Sequence, residues 1–269
     1  MNHSIKQYLD KGKLNFVSPY GFGDTVVLCN CLSTLEKKYG DINLVIKPSH
    51  TVVAEIFGIN SFTVMRDFVP AHFDMLAKQY PQPDVGAPFI AHPNYSKNGD
   101  KLVAAFLDGS ISFKRMYEMF FEIDVGDITV PAYNYQLSTT AKCIIDVLNI
   151  KLNQVALIAP EATSIKMLKK SFWASIVADC LKRGLTPVCT VCNLKNIIPG
   201  SLYIPLSIRD MLSIVDQCAE IHSLRSGFCD LIALKDKKMT IYYPDDKTMR
   251  YALLKDVFKN TRALEVSVK

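Results

Sequence analysis

Three short stretches hold residues whose types and spacing could do chemistry: "GFGD" at 21–24, "PEATSIK" at 160–166 and "RSGFCD" at 225–230. In the first, Gly21 and Gly23 allow a tight turn and a close approach of backbone to a ligand. Asp24 then offers a carboxylate able to take a proton from an incoming hydroxyl. The plain alternative is that Asp24 caps a helix beginning at Thr25, a role worth about 1 kcal/mol. In the second stretch, Pro160 ends a strand, and Thr163 and Ser164 are candidate N-caps. A helix starting there would turn free N–H groups and a positive dipole end towards a phosphate. Lys166 would add a point charge, unless it is only a solvated lysine on a capped helix. Glu161 beside such a site would repel a phosphate unless it serves as an acid or holds a ribose hydroxyl. In the third, Ser226 and Gly227 turn the chain from strand to helix, and Arg225 presents a fork suited to phosphate or carboxylate. Asp230 falls in the first helical turn, where the dipole favours a carboxylate. With Glu161 it is also a candidate nucleophile or acid partner.

The elements that must position these residues alternate along the chain. "LNFVSP" (14–19) is a short apolar run. The following helix carries Leu28, Leu32 and Leu35 at helical spacing and stops at Gly40. "INLVIKP" is a strand, "TVVAEIFGI" a short helix and "FTVMRD" a strand. The loop-rich region 80–101 contains one strand, an amphipathic segment runs from "LVAAFLDG" to "FKRMYEMFFEI", and a helix over 138–150 closes the first half. "QVALIAP" (154–160) restarts the pattern, followed by a helix lined by Phe172, Ile176, Val177, Cys180 and Leu181. The strands "LTPVCTVC" and "SLYIPL" come next. "SIRD" (207–210) matches a capping box that opens another helix. "EIHSL" and "MTIYYP" are strands, and a final helix spans Thr248 to about Lys259. Repeated strand–turn–helix units imply parallel sheets with helices on their faces. The expectation is an α/β chain of two facing Rossmann-like domains, 1–150 and 151–269. Ligands of such sheets bind at the carboxyl ends of strands, which is where all three stretches fall.

Composition narrows the functional classes. Of 269 residues, 31 are Lys or Arg and 26 are Asp or Glu, a formal charge of +5. That is too small and too dispersed for the basic stripe of a nucleic-acid-binding protein. It suits an anionic small molecule or weak attraction to an acidic membrane face. No apolar run approaches a membrane span and no signal-peptide core opens the sequence, so a cytoplasmic location is expected. Eight cysteines lie mostly in apolar segments and read as reduced thiols. "CTVC" (189–192) has zinc-like spacing but no second pair at a ribbon-like distance, and is read as strand. No metal site is expected. A nicotinamide-dependent oxidoreductase is disfavoured because Val26 stands where a dinucleotide fingerprint has its third glycine.

The three stretches, in this order, resemble bacterial glycosyltransferases of the lipopolysaccharide heptosyltransferase type, a family with the two-domain GT-B fold. "SPYGFGDTVVLCNCLSTLEKKYG" resembles that family's first strand, Gly-Asp turn and helix, and puts Asp24 at the position of its catalytic base. "APEATSIKMLKKSFWASIVADCLKRGL" is similar to the turn, lysine and Trp-containing helix that open its second half, which places Lys166, Lys169 or Lys170 near the donor phosphates. "RSGFCDLIA" occupies the place of its Asp-Ser/Thr-Gly turn and His-Leu-Ala, but Arg225 replaces the Asp and Asp230 the His. The resemblance implies a divergent transferase acting on capsule, lipooligosaccharide or another cell-surface glycan. Its partners would be a nucleotide-sugar donor and a glycan or glycolipid acceptor, without nucleic acid or a resident cofactor, with peripheral contact at the cytoplasmic face of the inner membrane. Asp24, Asp230 and Glu161 are the catalytic candidates. Gly23, Thr163, Ser164, Lys166, Arg225, Ser226 and Gly227 are the donor-binding ones. A GT-B-like subunit that binds nucleotide or glycan without turnover is the rival.

Overall fold

A computed structural model describes residues 3–66 and 70–268. The chain forms two compact units, Met1–Pro131 and Ala132–Lys269. The first contains α1 (His3–Lys6), β1 (Leu14–Val17), α2 (Phe22–Tyr39), β2 (Ile42–Ile46), α3 (Thr51–Ile56), β3 (Phe62–Val64), α4 (Pro70–Gln79), β4 (Pro88–Ile90), α5 (Gly99–Leu107) and α6 (Phe113–Phe121). The second contains α7 (Thr139–Val147), β5 (Val155–Ala159), α8 (Lys170–Lys182), β6 (Thr186–Cys189), β7 (Leu202–Tyr203), α9 (Ile208–Val215), β8 (Glu220–Leu224), α10 (Gly227–Ile232), β9 (Met239–Tyr243), α11 (Asp246–Ala252), α12 (Leu254–Val257) and β10 (Leu264–Ser267).

The central strands are mainly apolar, as parallel strands buried on both faces are; β8, with Glu220, His222 and Ser223, is the exception. Every residue of β1, β2, β5, β8 and β9 is buried. All strand pairs are parallel. The first sheet runs β3-β2-β1-β4, and the second β10-β9-β8-β5-β6-β7. Counted from its own first strand, each sheet lays its first strand between its second and its fourth. This is the Rossmann arrangement, whose winding reverses beside the first strand and leaves a crevice at the carboxyl ends there. In the first unit the crevice lies over β1 and β4, in the second over β5 and β8. Val17, Val45, Phe73 and Ile90 pack together in the first core, and Ile158, Trp173, Val177 and Leu224 in the second.

Several boundaries differ from the sequence reading. The units divide at Pro131, not near 150. The helix α7 belongs with the second unit, where the Ser138 N–H at its start donates to Asp210 on α9 at 2.7 Å. The helix predicted after "PEATSIK" begins at Lys170, with Lys169 as an N-cap lacking any side-chain bond. Thr163 and Ser164 are exposed loop residues rather than caps. The amphipathic segment of the first half is two helices, parted before Ser112, which accepts from the Arg115 N–H at 3.2 Å. The predicted final helix is the pair α11 and α12, followed by the unforeseen strand β10. The strand expected at "FTVMRD" ends at Val64, and Asp67 lies outside the described residues. The capping box is present as read: Ser207 Oγ accepts from the Asp210 N–H at 3.1 Å, and the Ser207 N–H donates to the Asp210 carboxylate at 3.1 Å.

Candidate active site

In the first unit the chain leaves β1 through Ser18, Pro19 and Tyr20 and enters α2 at Phe22. Gly21 is the N-cap, in extended conformation at φ −94°. Neither Gly21 nor Gly23 uses the left-handed region. Asp24 is the third residue of α2, and its Oδ2 takes the Gly21 N–H at 2.9 Å. Asp24 does satisfy the helix start, but from the third position of a helix that begins at Phe22 rather than as the cap of one beginning at Thr25. This role does not exhaust the carboxylate, because Oδ1 accepts the Tyr117 hydroxyl at 2.7 Å and lies 3.4 Å from His92 Nε2.

These partners arrive from distant segments for definite reasons. His92 follows β4, the strand beside β1, so the sheet order carries it to the same crevice. Tyr117 lies on the buried face of α6 and reaches across with its phenol. The Asp24 side chain retains 14% exposure, enough for a small polar group to touch it. Burial alone would raise the Asp24 carboxyl. The contact with His92, then the Tyr117 hydroxyl and the Gly21 N–H, outweigh it and hold the carboxyl below its ordinary value. Tyr117 is driven well above the usual phenol range, first by burial and then by the Asp24 charge. It therefore stays a hydrogen-bond donor.

Two further groups line this crevice and went unremarked in the sequence. Lys47, just past β2, donates to the Tyr20 carbonyl at 2.9 Å, and burial lowers its pKa against the pull of Asp24. His50 lies on a buried chain of hydroxyls, with Nδ1 2.8 Å from Thr25 Oγ1 and that oxygen 2.8 Å from Ser18 Oγ. Burial and then Lys47, opposed by Asp24, push His50 down to about 4. The position of Lys47 and His50 after an apolar strand was a usable signal. Of the three aromatic residues Tyr117, Phe120 and Phe121 on α6, Tyr117 reaches the site. Phe121 packs on Phe16 and Phe120 on Phe89, within the core.

The second unit gives its polar groups different work. Glu161, just past β5, accepts from the Cys192 N–H at 2.5 Å, the Asn193 N–H at 3.3 Å and the Asn196 side-chain amide at 2.6 Å. It ties the loop after β5 to the loop after β6, which corrects its reading as an acid or ribose ligand. Arg225, just past β8, is 8% exposed and Asp230 is 3% exposed. Their side chains meet in a bidentate pair, Nη2 to Oδ1 at 2.7 Å and Nη1 to Oδ2 at 3.0 Å. Arg225 also donates to the Ala252 carbonyl at 2.9 Å and the Ser226 carbonyl at 2.8 Å. With four of its five N–H groups engaged, Arg225 has no bidentate face left for a phosphate, and Asp230 is held in an ion pair rather than poised as a nucleophile or acid. Both predicted roles are corrected on that ground. Ser226 and Gly227 remain half-buried at the start of α10, at the carboxyl end of β8. Lys166 and Lys169 precede α8 and Lys170 opens it, its ammonium donating to the Lys195 carbonyl, while Lys166 is close enough to help lower the Asp245 carboxyl after its hydrogen bonds with Thr248.

Among the described residues, Cys180, Glu220 and His222 form a group whose ligand atoms lie within 4.8 Å of one another. It sits at the amino end of β8, away from the crevice. Arg183, Lys238 and His222 already share the Glu220 carboxylate, with Lys238 Nζ at 2.6 Å. A divalent cation would have to enter beside two positive side chains, so the cluster is an ionic network rather than a metal centre. No described helix is long and apolar enough to cross a membrane.

No protein-family model matches the chain, and no curated protein does. Solved structures do. A family 9 glycosyl transferase from Veillonella parvula DSM 2008 superposes with a TM-score of 0.61 at 12% identity, covering 97% of this chain and 88% of the other. The E. coli ADP-heptose lipopolysaccharide heptosyltransferase II gives 0.55 at 11%, covering 95% and 90%. The E. coli heptosyltransferase WaaC with ADP gives 0.52 at 12%, covering 96% and 93%. At such identities the likeness establishes the fold: two α/β units with parallel sheets, the GT-B architecture expected from sequence.

Proposed function

We propose that the chain is a glycosyltransferase that moves a sugar from a nucleotide-sugar to a hydroxyl of a cell-surface glycan, with Asp24 as the proton acceptor. The observation that carries this reading is the setting of Asp24. It is an ionised carboxylate, partly open, at the switch point of the first sheet, and every group hydrogen-bonded to it is a donor. Fold alone would not suffice, because one fold hosts many chemistries. The identity of the solved neighbours adds weight, two being heptosyltransferases and one carrying ADP.

In this reading the first unit binds the acceptor and the second the donor. The diphosphate rests at the uncapped N-terminus of α8, with Lys166, Lys169 and Lys170 beside it and the Ser226–Gly227 turn offering further N–H groups. These charges and dipoles compensate the leaving group without a metal. Gly23, bare of a side chain next to Asp24, leaves room for the sugar. Because Glu161 and Asp230 are committed elsewhere, the favoured course is a single displacement with inversion at the anomeric carbon. The acceptor is a capsule or lipooligosaccharide-type glycan, met at the cytoplasmic face of the inner membrane through peripheral contact.

A thermal-shift panel of nucleoside mono- and diphosphates identifies the donor base. With the donor known, Asp24→Asn is expected to lower turnover by about a thousandfold while nucleotide affinity stays within a few-fold. Undiminished transfer by that variant removes Asp24 from the role. One observation favours a second reading, a subunit that binds nucleotide or glycan without turnover: Arg225, Asp230 and Glu161 are all internally satisfied. Nucleotide binding with neither donor hydrolysis nor transfer in the unaltered protein would select it.

A further inference from the structure

The Asp24 carboxylate is held unevenly. A carboxylate offers about four acceptor sites, two on each oxygen. Oδ1 faces two side-chain donors, the Tyr117 hydroxyl at 2.7 Å and His92 Nε2 at 3.4 Å. Oδ2 faces the Gly21 N–H alone, at 2.9 Å. One acceptor position is open, and it belongs to Oδ2.

The His92 ring is itself constrained. Its Nδ1 lies 3.2 Å from the backbone nitrogen of Asn94. A backbone N–H can only donate, so Nδ1 must present its lone pair, and the proton of the neutral ring must sit on Nε2. Nε2 is the atom turned towards Asp24. The Tyr20 ring packs edge-on against the imidazole with centroids 4.3 Å apart, and the Tyr117 and Tyr95 rings lie at 6.0 and 6.4 Å. These contacts fix the ring plane as the Asn94 amide fixes its tautomer.

From this geometry we infer that His92 and Tyr117 are positioning residues: they fill Oδ1 and so make Oδ2 the atom that receives the acceptor's proton. The inference rests on the proposed transferase reading and deepens it. In the step itself, the acceptor hydroxyl loses its proton to Oδ2 and its oxygen bonds to the anomeric carbon. The bond from that carbon to the diphosphate oxygen breaks, and the electron pair leaves with the nucleoside diphosphate. Asp24 becomes a neutral acid whose Oδ1 still accepts from both partners. His92 holds its proton on Nε2 throughout and carries none away.

Two measurements need no substrate. Nitrogen-15 NMR of histidine-labelled protein, with the five histidines distinguished by a His92→Gln variant, reports the tautomer directly. The expected result is a protonated Nε2 and a bare Nδ1, and a protonated Nδ1 in the neutral ring overturns the inference. Carbon-13 NMR titration of the Asp24 carboxyl is the second. The charged and titratable groups around it are His92, Tyr117, Lys47 and His50. His92→Ala should move the Asp24 titration to higher pH, because the largest lowering contact is gone. His92→Gln, which retains an N–H donor, should leave it nearer the unaltered value. An Asp24 titration that does not respond to His92→Ala refutes the coupling.

Once donor and acceptor are known, His92→Ala should lower kcat by about a hundredfold with donor KM nearly unchanged. Tyr117→Phe should lower it by about tenfold, and His92→Gln should restore most of the loss. Equal inactivity of the Gln and Ala variants would mean that donation is not what His92 supplies. If Asp24→Asn proves fully active, the base role of Asp24 and the choice of Oδ2 fall, while the tautomer and titration results still decide what His92 does to the carboxylate. The tautomer measurement uses the unaltered protein, so a variant that fails to fold does not remove the test.

Discussion

The Arg225–Asp230 pair separates a structural role from a ligand-binding one by a single perturbation. Asp230→Ala removes the carboxylate and leaves a guanidinium that is 8% exposed. Of the four hydrogen bonds that Arg225 makes, those to the Ala252 and Ser226 carbonyls survive, while the two to Asp230 at 2.7 and 3.0 Å vanish. Breaking a buried pair from one side costs about 3–5 kcal/mol, because the remaining charge stays buried without compensation. For a unit of about 140 residues, each kcal/mol shifts the midpoint by about 4 °C. The second unit should therefore melt about 10–20 °C lower. The chain contains one tryptophan, Trp173, buried in that unit's core, so its fluorescence follows the relevant transition alone. Arg225→Met combined with Asp230→Leu replaces the pair by apolar groups of similar volume and should recover most of the loss. If Asp230→Ala melts within about 2 °C of the parent yet binds nucleotide much more weakly, the pair faces a ligand and the structural argument is wrong.

Two further predictions concern pH and the loop held by Glu161. His50 is pushed down to about 4 in the folded chain, first by burial, against about 6.5 when unfolded. Between those values the unfolded chain binds a proton that the folded chain refuses. The first unit should thus lose stability as pH falls from 6.5 towards 4, by at most about 3 kcal/mol. Thermal melts followed by circular dichroism should show that slope reduced in His50→Asn, and an unchanged slope would acquit His50. Glu161→Gln should quicken the reaction of Cys192 with a disulfide reagent by several-fold, judged in a Cys143→Ser background since Cys143 is also exposed. The thiol is raised by burial first and by the Glu161 charge next, so losing that charge yields more thiolate. An unaltered rate would show that the carboxylate does not govern the loop.

The fold was legible because parallel strands covered on both faces must be largely apolar, and β1, β2, β5 and β9 announce themselves that way. The half-exposed edge strand β10, "LEVS", lacks that signature and was missed. The start of α8 was misplaced because Thr163 and Ser164 have the chemistry of caps, whereas the actual N-cap is Lys169, which forms no side-chain cap. Asp24 could be found because Gly-x-Gly-Asp after a short apolar run has a local meaning. Its partners could not. Tyr117 meets it across 93 positions of sequence, and helical periodicity tells which face of α6 is buried without telling what the phenol touches. His92 was visible only as a loop histidine until the strand order set β4 beside β1.

The two first-turn aspartates show why partner chemistry, rather than position, decides which one can react. Asp24 and Asp230 each follow the carboxyl end of a strand that borders a switch point, and each opens a helix. In sequence they are equals. Asp230 meets a guanidinium face to face, and a proton arriving there would have to break a buried bidentate pair. Asp24 meets a phenol, an imidazole and a backbone amide, groups that stabilise a negative charge by hydrogen bonding without an arginine-like countercharge clamped across both oxygens. One acceptor site on Oδ2 stays open, and the side chain keeps 14% of its surface. A carboxylate of the first kind holds the fold together. One of the second kind remains able to take a proton, and that difference is the physical ground for proposing Asp24, not Asp230, as the base.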